Sequence, residues 1–189
     1  MHLRYAPFLL LSGLLTACQH EKIAAVSSPA AAWLPHADGE QLRFRNDTLG
    51  VQLLTVRRSR SVATLPSKSA DNPYELQTLA YASGGFPVSV LQLQAAYQYV
   101  SFGLGQPDGR YGAEIRLQTG PRDSAQAVAM RCRLLAGYTL RGRTYAQLLH
   151  ARLLPTVPTA NQPVTEFFYA RDEGLVAYTT NRRQTWYRD

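Results

Sequence analysis

The sequence predicts an all-β protein: a curved or partly closed antiparallel sheet, either a half-barrel, a barrel or a sandwich, with few or no helices. From Trp33 onward, short segments alternate apolar and polar residues, as strands with one buried face do. Gly, Pro, Asn and Asp separate these segments at hairpin spacing. The pattern indicates roughly nine strands, and 46% hydrophobic residues suffice for a buried core.

Each predicted element follows from period-two alternation or from its absence. Leu42 and Phe44, for example, alternate with two arginines. Residues 59–73 contain two prolines and no clear period, so we expect a loop there. The predicted strands are 41–46, 51–58, 75–81, 88–102 with a bulge at Ala95 and Ala96, 110–118, 127–135, 144–153, 164–170, 174–179 and 184–188.

Residues 124–136 also permit a helix, because Ser124 could cap it and alanine is abundant. The alternation of arginines against Met130, Cys132 and Leu134 favours a strand. We expect Cys132 to point into the core, together with Val128, as a small hydrophobic residue.

The first residues form a secretory signal rather than part of the fold. A short basic start precedes the apolar run 6–15, which is too short to span a membrane. Leu15-Thr16-Ala17-Cys18 then resembles the bacterial lipobox, in which the cysteine is acylated after cleavage of residues 1–17. The resemblance implies that Cys18 is the lipid attachment residue. Gln19, in place of an aspartate, favours the outer membrane by the same resemblance, without indicating which face.

The mature chain divides into two parts. Residues 18–32 are rich in Ala and Ser and lack a strand or helix period, so we interpret them as the lipidated cysteine and a flexible tether. Residues 33–189 are expected to form a single β domain. Once Cys18 is assigned to lipid, only Cys132 remains, which excludes an intramolecular disulfide.

The net charge is +7, from 18 Arg and 2 Lys against 13 acidic residues. A basic surface favours anionic partners, but a GC-rich genome that prefers Arg codons over Lys is the simpler explanation of this composition. The arginines are scattered over the chain, and no run resembles a nucleic-acid-binding arm. We therefore expect no nucleic-acid partner.

No motif indicates catalysis, a cofactor or a metal. The glycines of segment 102–109 miss the dinucleotide spacing, and Pro107-Asp108-Gly109 indicates a turn. His36 and His150 are isolated in sequence, without the spacing of a zinc site. The chain contains no Gly-x-Ser-x-Gly elbow. Several tyrosines could instead line a ligand groove or lie in the sheet with one wet end, namely Tyr97, Tyr99, Tyr111, Tyr138, Tyr145 and Tyr169.

The last 50 or so residues also resemble small bacterial lipoproteins of uncharacterised function. The features shared are a Gly-x-x-Tyr strand at 142–145, an aromatic pair, a basic residue and Gly-Leu-Val within 168–176, and a late aromatic residue, Trp186. Gly39, Leu42, Phe44, Asn46 and Gly50 are similar to the first hairpin of those proteins. The resemblance implies no activity, cofactor or catalytic residue. Physically, Gly174 permits a backbone conformation closed to other residues.

These observations predict a non-enzymatic envelope lipoprotein that works as a binding or structural module. Its expected partners are the membrane, through the lipid anchor, and an envelope protein or an apolar or anionic ligand. A curved sheet could shelter an apolar ligand, an analogy that rests on fold alone. The alternative is an envelope hydrolase acting on glycan or ester bonds, which requires His36 or His150 to meet a carboxylate and a serine.

Overall fold

The computed structural model describes residues 23–65, 72–84, 89–105, 111–120, 123–157 and 163–189. These residues form one short helix and twelve strands, and the strands make one antiparallel sheet that curves into a nearly closed barrel. The predicted all-β fold is therefore confirmed. The elements are α1 Ser28–Ala31, β1 Gln41–Asn46, β2 Gly50–Leu65, β3 Asn72–Ala82, β4 Ser89–Ala96, β5 Tyr99–Gly105, β6 Tyr111–Gln118, β7 Ser124–Val128, β8 Met130–Leu140, β9 Arg143–Leu153, β10 Val164–Ala170, β11 Gly174–Thr180 and β12 Thr185–Arg188. Within the described ranges, no helix has the length and apolar character needed to cross a membrane.

The sheet closes because its two edge strands are consecutive in sequence. The strand order is β7-β6-β5-β4-β3-β2-β1-β12-β11-β10-β9-β8. The first and last strands of the chain, β1 and β12, therefore pair with each other in the middle of the sheet. Only Ala129, whose φ is +60°, separates the edge strands β7 and β8. The backbone N–H of Leu154 donates to the Ala129 carbonyl at 3.1 Å. The sheet therefore curls until its edges meet at this corner.

The inner face of the barrel is filled by side chains. Alternate residues along each strand point inward, because the side-chain period of a strand is two. Trp33 enters from the N-terminal segment, and its ring contacts Phe102 edge-on at 5.8 Å between centroids and stacks on Tyr169 at 6.1 Å. The largest fully buried side chains are Trp33, Tyr81, Tyr169, Tyr178, Phe44, Phe102 and Phe167.

The N-terminal segment packs on the sheet, which corrects the described part of the predicted tether. Ala24 bridges to Tyr74, and the Ser27 side chain caps α1 by accepting from the Ala30 amide at 3.4 Å. Ala30 is buried because its small side chain lets the helix approach the core closely. The packed domain therefore begins near Ala24 rather than at Trp33. Cys18 lies outside the described residues, as do the predicted signal peptide and the predicted tether up to residue 22.

The loop predicted at 59–73 was wrong over most of its length. β2 extends to Leu65 and β3 begins at Asn72, with continuous pairing from Thr55 opposite Ala82 to Leu65 opposite Asn72. Residues 59–64 of β2 are mostly exposed, so this part of the strand needs no apolar face and shows no alternation in the sequence. The first predicted hairpin, by contrast, is confirmed, with Asn46 paired to Gly50.

The single strand with a bulge predicted at 88–102 was also wrong. β4 and β5 form a hairpin in which Ala96 pairs with Tyr99 around a two-residue turn. Tyr97 adopts a φ of +50° there, a conformation usually occupied by Gly or Asn, so the turn leaves no signal in the sequence.

The strand at 127–135 is correct in type, and the helical alternative is excluded, but Ala129 interrupts it. Cys132 and Leu134 pack against the core beside buried Met130, as predicted. Val128 is instead 71% exposed, because the left-handed conformation of Ala129 breaks the alternation before Met130.

A second, smaller hydrophobic cluster covers part of the outer wall. Tyr145, Leu148, Ala170 and Val176 are buried there against further residues of β8–β10, namely Leu135, Leu140 and Phe168. The tip of the β8–β9 hairpin reaches across to β12, where the Arg141 guanidinium lies 4.1 Å from the centroid of Tyr187 and pairs with Asp47. This hairpin therefore folds over the outside of the barrel.

Candidate functional site

The buried tyrosines fasten the N-terminal segment to the barrel. Tyr81 on β3 donates a hydrogen bond to the Tyr169 hydroxyl on β10 at 2.9 Å, and Tyr169 donates to the Trp33 carbonyl at 2.7 Å. Burial raises the pKa of both hydroxyls well above the usual value, so both stay protonated at neutral pH. The pair is placed to hold structure rather than to exchange protons.

His36 lies at the end of this segment and is almost fully buried. Its Nδ1 lies 3.0 Å from Glu40 Oε1, and its ring packs edge-on against Tyr81. Burial lowers its pKa below the usual 6.5, partly opposed by Glu40, so the imidazole is neutral at pH 7. Gly174 lies directly against the ring: a Cβ at this position would be 2.2 Å from His36 Nε2. Its φ of +85° confirms the predicted conformation closed to other residues.

His150 lies on the outer wall. Its Nε2 is 2.7 Å from Glu166 Oε1, and its ring stacks on Phe168 with centroids 4.4 Å apart. The hydrogen bond to His150 lowers the pKa of Glu166. Within the described ranges, neither His36 nor His150 hydrogen-bonds to a serine, so each forms a histidine–carboxylate pair and not a triad.

An open groove on the outer wall of β3–β6 is the strongest candidate for binding. Its volume is about 660 Å³. Tyr97 and Tyr99 are 52% and 44% exposed and leave ring surface free for contact. We call this the aromatic groove; its lining residues are Ala24, Pro73, Tyr74, Leu76, Gln94, Ala96, Tyr97, Tyr99, Ser101 and Arg116.

Neighbouring strands and the N-terminal segment together build the groove. Leu76 pairs with Ala96, and Ala96 pairs with Tyr99, which brings these three side chains to one outward face. Ala24 accepts from the Glu75 amide and donates to the Pro73 carbonyl, so the chain before α1 forms one wall. A shallow cleft with aromatic rings and a few polar groups suits a ligand with an apolar face.

The structure separates the tyrosines that the sequence suggested for a groove. Tyr97 and Tyr99 line the aromatic groove, Tyr145 lies in the outer cluster, and Tyr169 lies inside the barrel. Tyr138 stacks near Phe168 at 6.3 Å on the outer wall, and the side chain of Tyr111 lies outside the described residues.

Tyr74 and Arg116 also line the groove and were missed. Alternation along each strand predicts that both side chains point outward. It does not predict that they lie beside Tyr99, because that depends on which strands are neighbours in the sheet.

In the part of the chain that the structure describes, His, Cys, Asp and Glu side chains form no group of three or more able to hold a metal ion. Searches against protein-family models, curated proteins and solved structures found no match to this chain.

Proposed function

We propose that this protein is a lipid-anchored lipoprotein of the bacterial cell envelope and works as a non-enzymatic binding module. Cys18 is the lipid attachment residue, residues 1–17 are removed, and the outer membrane is the location. The spacing of the lipobox-like Leu15-Thr16-Ala17-Cys18 after a short apolar run supports this assignment. Two or more acyl chains on one residue give lasting attachment without a spanning helix.

The aromatic groove is the observation that supports a binding role best. The barrel interior around Trp33 is occupied by the protein's own rings, among them Phe102 and Tyr169. A ligand is therefore expected on the outer wall, where Tyr97 and Tyr99 leave aromatic surface exposed beside polar groups. The proposed ligand is the apolar part of a membrane lipid.

The position of the groove relative to Cys18 supports this ligand class. Ala24 lines the groove and follows Cys18 by six residues. An extended chain spans at most about 3.6 Å per residue, so this wall of the groove lies within about 22 Å of the acylated residue. Membrane lipids are thus the apolar molecules at the highest local concentration around the groove.

The anchor is tested with a labelled acyl donor and by membrane fractionation. The wild-type protein is expected to incorporate labelled palmitate and to sediment with membranes, and Cys18→Ser to do neither. Unlabelled wild-type protein, or membrane attachment that survives Cys18→Ser, would contradict the anchor.

The ligand is tested separately by native mass spectrometry of the full-length protein extracted in mild detergent. Wild type is expected to retain a copurified lipid, and the double variant Tyr97→Ser/Tyr99→Ser to lose it. Tyr138→Ser is the matched control, because Tyr138 is also partly exposed but lies on β8, away from the groove. Equal lipid retention in all three proteins, or none in wild type, would refute the groove as the binding site.

The hydrolase alternative has weaker support. His36 and His150 each have the carboxylate that a triad requires, but within the described ranges neither histidine hydrogen-bonds to a serine. The ring of His36 packs instead against Tyr81, whose buried hydroxyl has a raised pKa. A binding module therefore accounts better for the described groups.

A further inference from the structure

A second depression lies at one end of the barrel, where β8 and β9 meet the turn after β11. It encloses about 520 Å³ and is lined by three arginines, Arg131, Arg152 and Arg183, together with polar residues that include Thr165 and Thr180. We call it the arginine pocket. Among the residues described, it shares none with the aromatic groove.

Two of the arginines face each other in a way that sheets normally avoid. Arg131 on β8 is the direct cross-strand partner of Arg152 on β9. Like charges at directly opposed positions destabilise a sheet. Within the described ranges neither guanidinium lies at ion-pair distance from a carboxylate. The carboxylate of Glu166, opposite Arg152, is hydrogen-bonded to His150 at 2.7 Å and feels the charge of Arg152 from further away. The pair thus presents net positive charge to the pocket, of which Glu166 offsets only a part.

The third arginine is held at the pocket by a constrained turn. Arg183 has a φ of +61°, a left-handed conformation that costs a residue with a side chain about 1 kcal/mol or more. Its amide donates to the Thr180 carbonyl at 2.9 Å, and the Gln184 amide donates to the Thr180 side chain at 3.4 Å. In the described part of the chain Arg183 also has no carboxylate partner. The turn therefore adds a third arginine to the same pocket.

We propose that the arginine pocket binds a phosphate group. Guanidinium groups offer paired N–H donors that match phosphate oxygens and remain charged at every physiological pH. Three of them around one pocket suit a compact anion with several oxygens better than a single carboxylate. A bound phosphate would also offset the repulsion between Arg131 and Arg152. The phosphate belongs either to a lipid headgroup or to a free phosphate compound, and the experiment separates the two. This inference is independent of the aromatic groove.

The test is titration calorimetry on the full-length protein in a neutral detergent, with two probes: inorganic phosphate and glycerol 3-phosphate, the headgroup fragment of a phospholipid. Wild type is expected to bind at least one probe. Arg131→Gln, Arg152→Gln and Arg183→Gln are each expected to weaken binding about tenfold or more. Arg57→Gln is the matched control. Arg57 is an exposed arginine on β2, outside the pocket, and its substitution removes the same charge.

Stability without phosphate separates a binding role from a structural one. Arg131→Gln is expected to leave the unfolding midpoint unchanged or raised in phosphate-free buffer, because it removes the repulsion with Arg152 and keeps the attraction between Arg152 and Glu166. Tighter binding of glycerol 3-phosphate supports a headgroup, and equal binding of the two probes supports a free phosphate compound. The proposal is overturned if neither probe binds, or if the three pocket variants bind as Arg57→Gln does.

Discussion

Tyr81 and Tyr169 lie inside the barrel, whereas Tyr74, Tyr97 and Tyr99 line the aromatic groove on its outer wall. The inner pair is buried, and its hydroxyls form a chain of hydrogen bonds that ends on the Trp33 carbonyl. Tyr97 and Tyr99 instead leave roughly half of their surface in water. The same residue type thus fixes structure in one region and offers a contact surface in the other.

The two groups of tyrosines differ because alternate residues of a strand point to opposite faces of the sheet, and the two faces are covered differently. The inner face receives Trp33 from the N-terminal segment and is filled. The outer wall is covered over β8–β11 by the folded hairpin, but it stays open over β3–β6. Contact with an apolar ligand is therefore expected at the open part of the outer wall, and the effects of substitution on stability are expected to be largest inside.

The largest expected effect is at Trp33. Trp33→Ala removes a fully buried ring that contacts Phe102 and Tyr169, and large-to-small substitutions of this kind cost about 4 kcal/mol. Leu53→Ala on the outer wall is the control, since Leu53 is 51% exposed and should change the free energy of unfolding by less than about 0.5 kcal/mol. Urea unfolding measures both values. Similar losses of unfolding free energy in the two variants would contradict the distinction between a filled interior and an open outer wall.

The second largest effect is expected at Gly174, whose backbone lies directly against the His36 ring. Gly174→Ala places a Cβ 2.2 Å from His36 Nε2 at a φ of +85°, so overpacking adds to backbone strain, for a loss of about 3 kcal/mol. Gly39→Ala separates the two causes, because Gly39 has a similar φ of +79° but nothing within 4 Å of the added Cβ. It is expected to cost only about 1 kcal/mol. Equal losses in urea unfolding would mean that the contact with His36 contributes nothing.

The inner face was more predictable than the connections between strands. Leu42 and Phe44 point inward as their alternation predicts, because the side-chain period of a strand is a local property. The β4–β5 turn was missed because Tyr97 adopts its positive φ without Gly or Asn. The exposed end of β2 was missed because a ribbon in water needs no apolar face.

The aromatic groove could be predicted only in part. The sequence indicated Tyr97 and Tyr99 as candidates for a ligand groove. It did not indicate Arg116, which lies on the neighbouring strand β6 and is not part of the tyrosine pattern. The arginine pocket likewise depends on the register that sets Arg131 opposite Arg152. Such juxtapositions are set by which strands become neighbours, and alternation within a single strand does not contain that information.

The smallest expected effect is on the pH dependence of stability. The interior and the outer wall are expected to lose stability at different pH values, because a different group titrates in each. Burial holds the pKa of His36 below 6.5, so the unfolded chain takes up a proton first, and stability falls as the pH drops below 6.5. On the outer wall, the hydrogen bond to His150 holds the pKa of Glu166 below 4.5, so its contribution is complete above pH 4.5 and is lost as the pH falls through its folded-state pKa. Urea midpoints measured from pH 8 to pH 3 should show both steps. His36→Gln should remove the first and leave the second, and Glu166→Gln should do the reverse. Loss of both steps in either variant would show that the interior and the outer wall do not titrate independently.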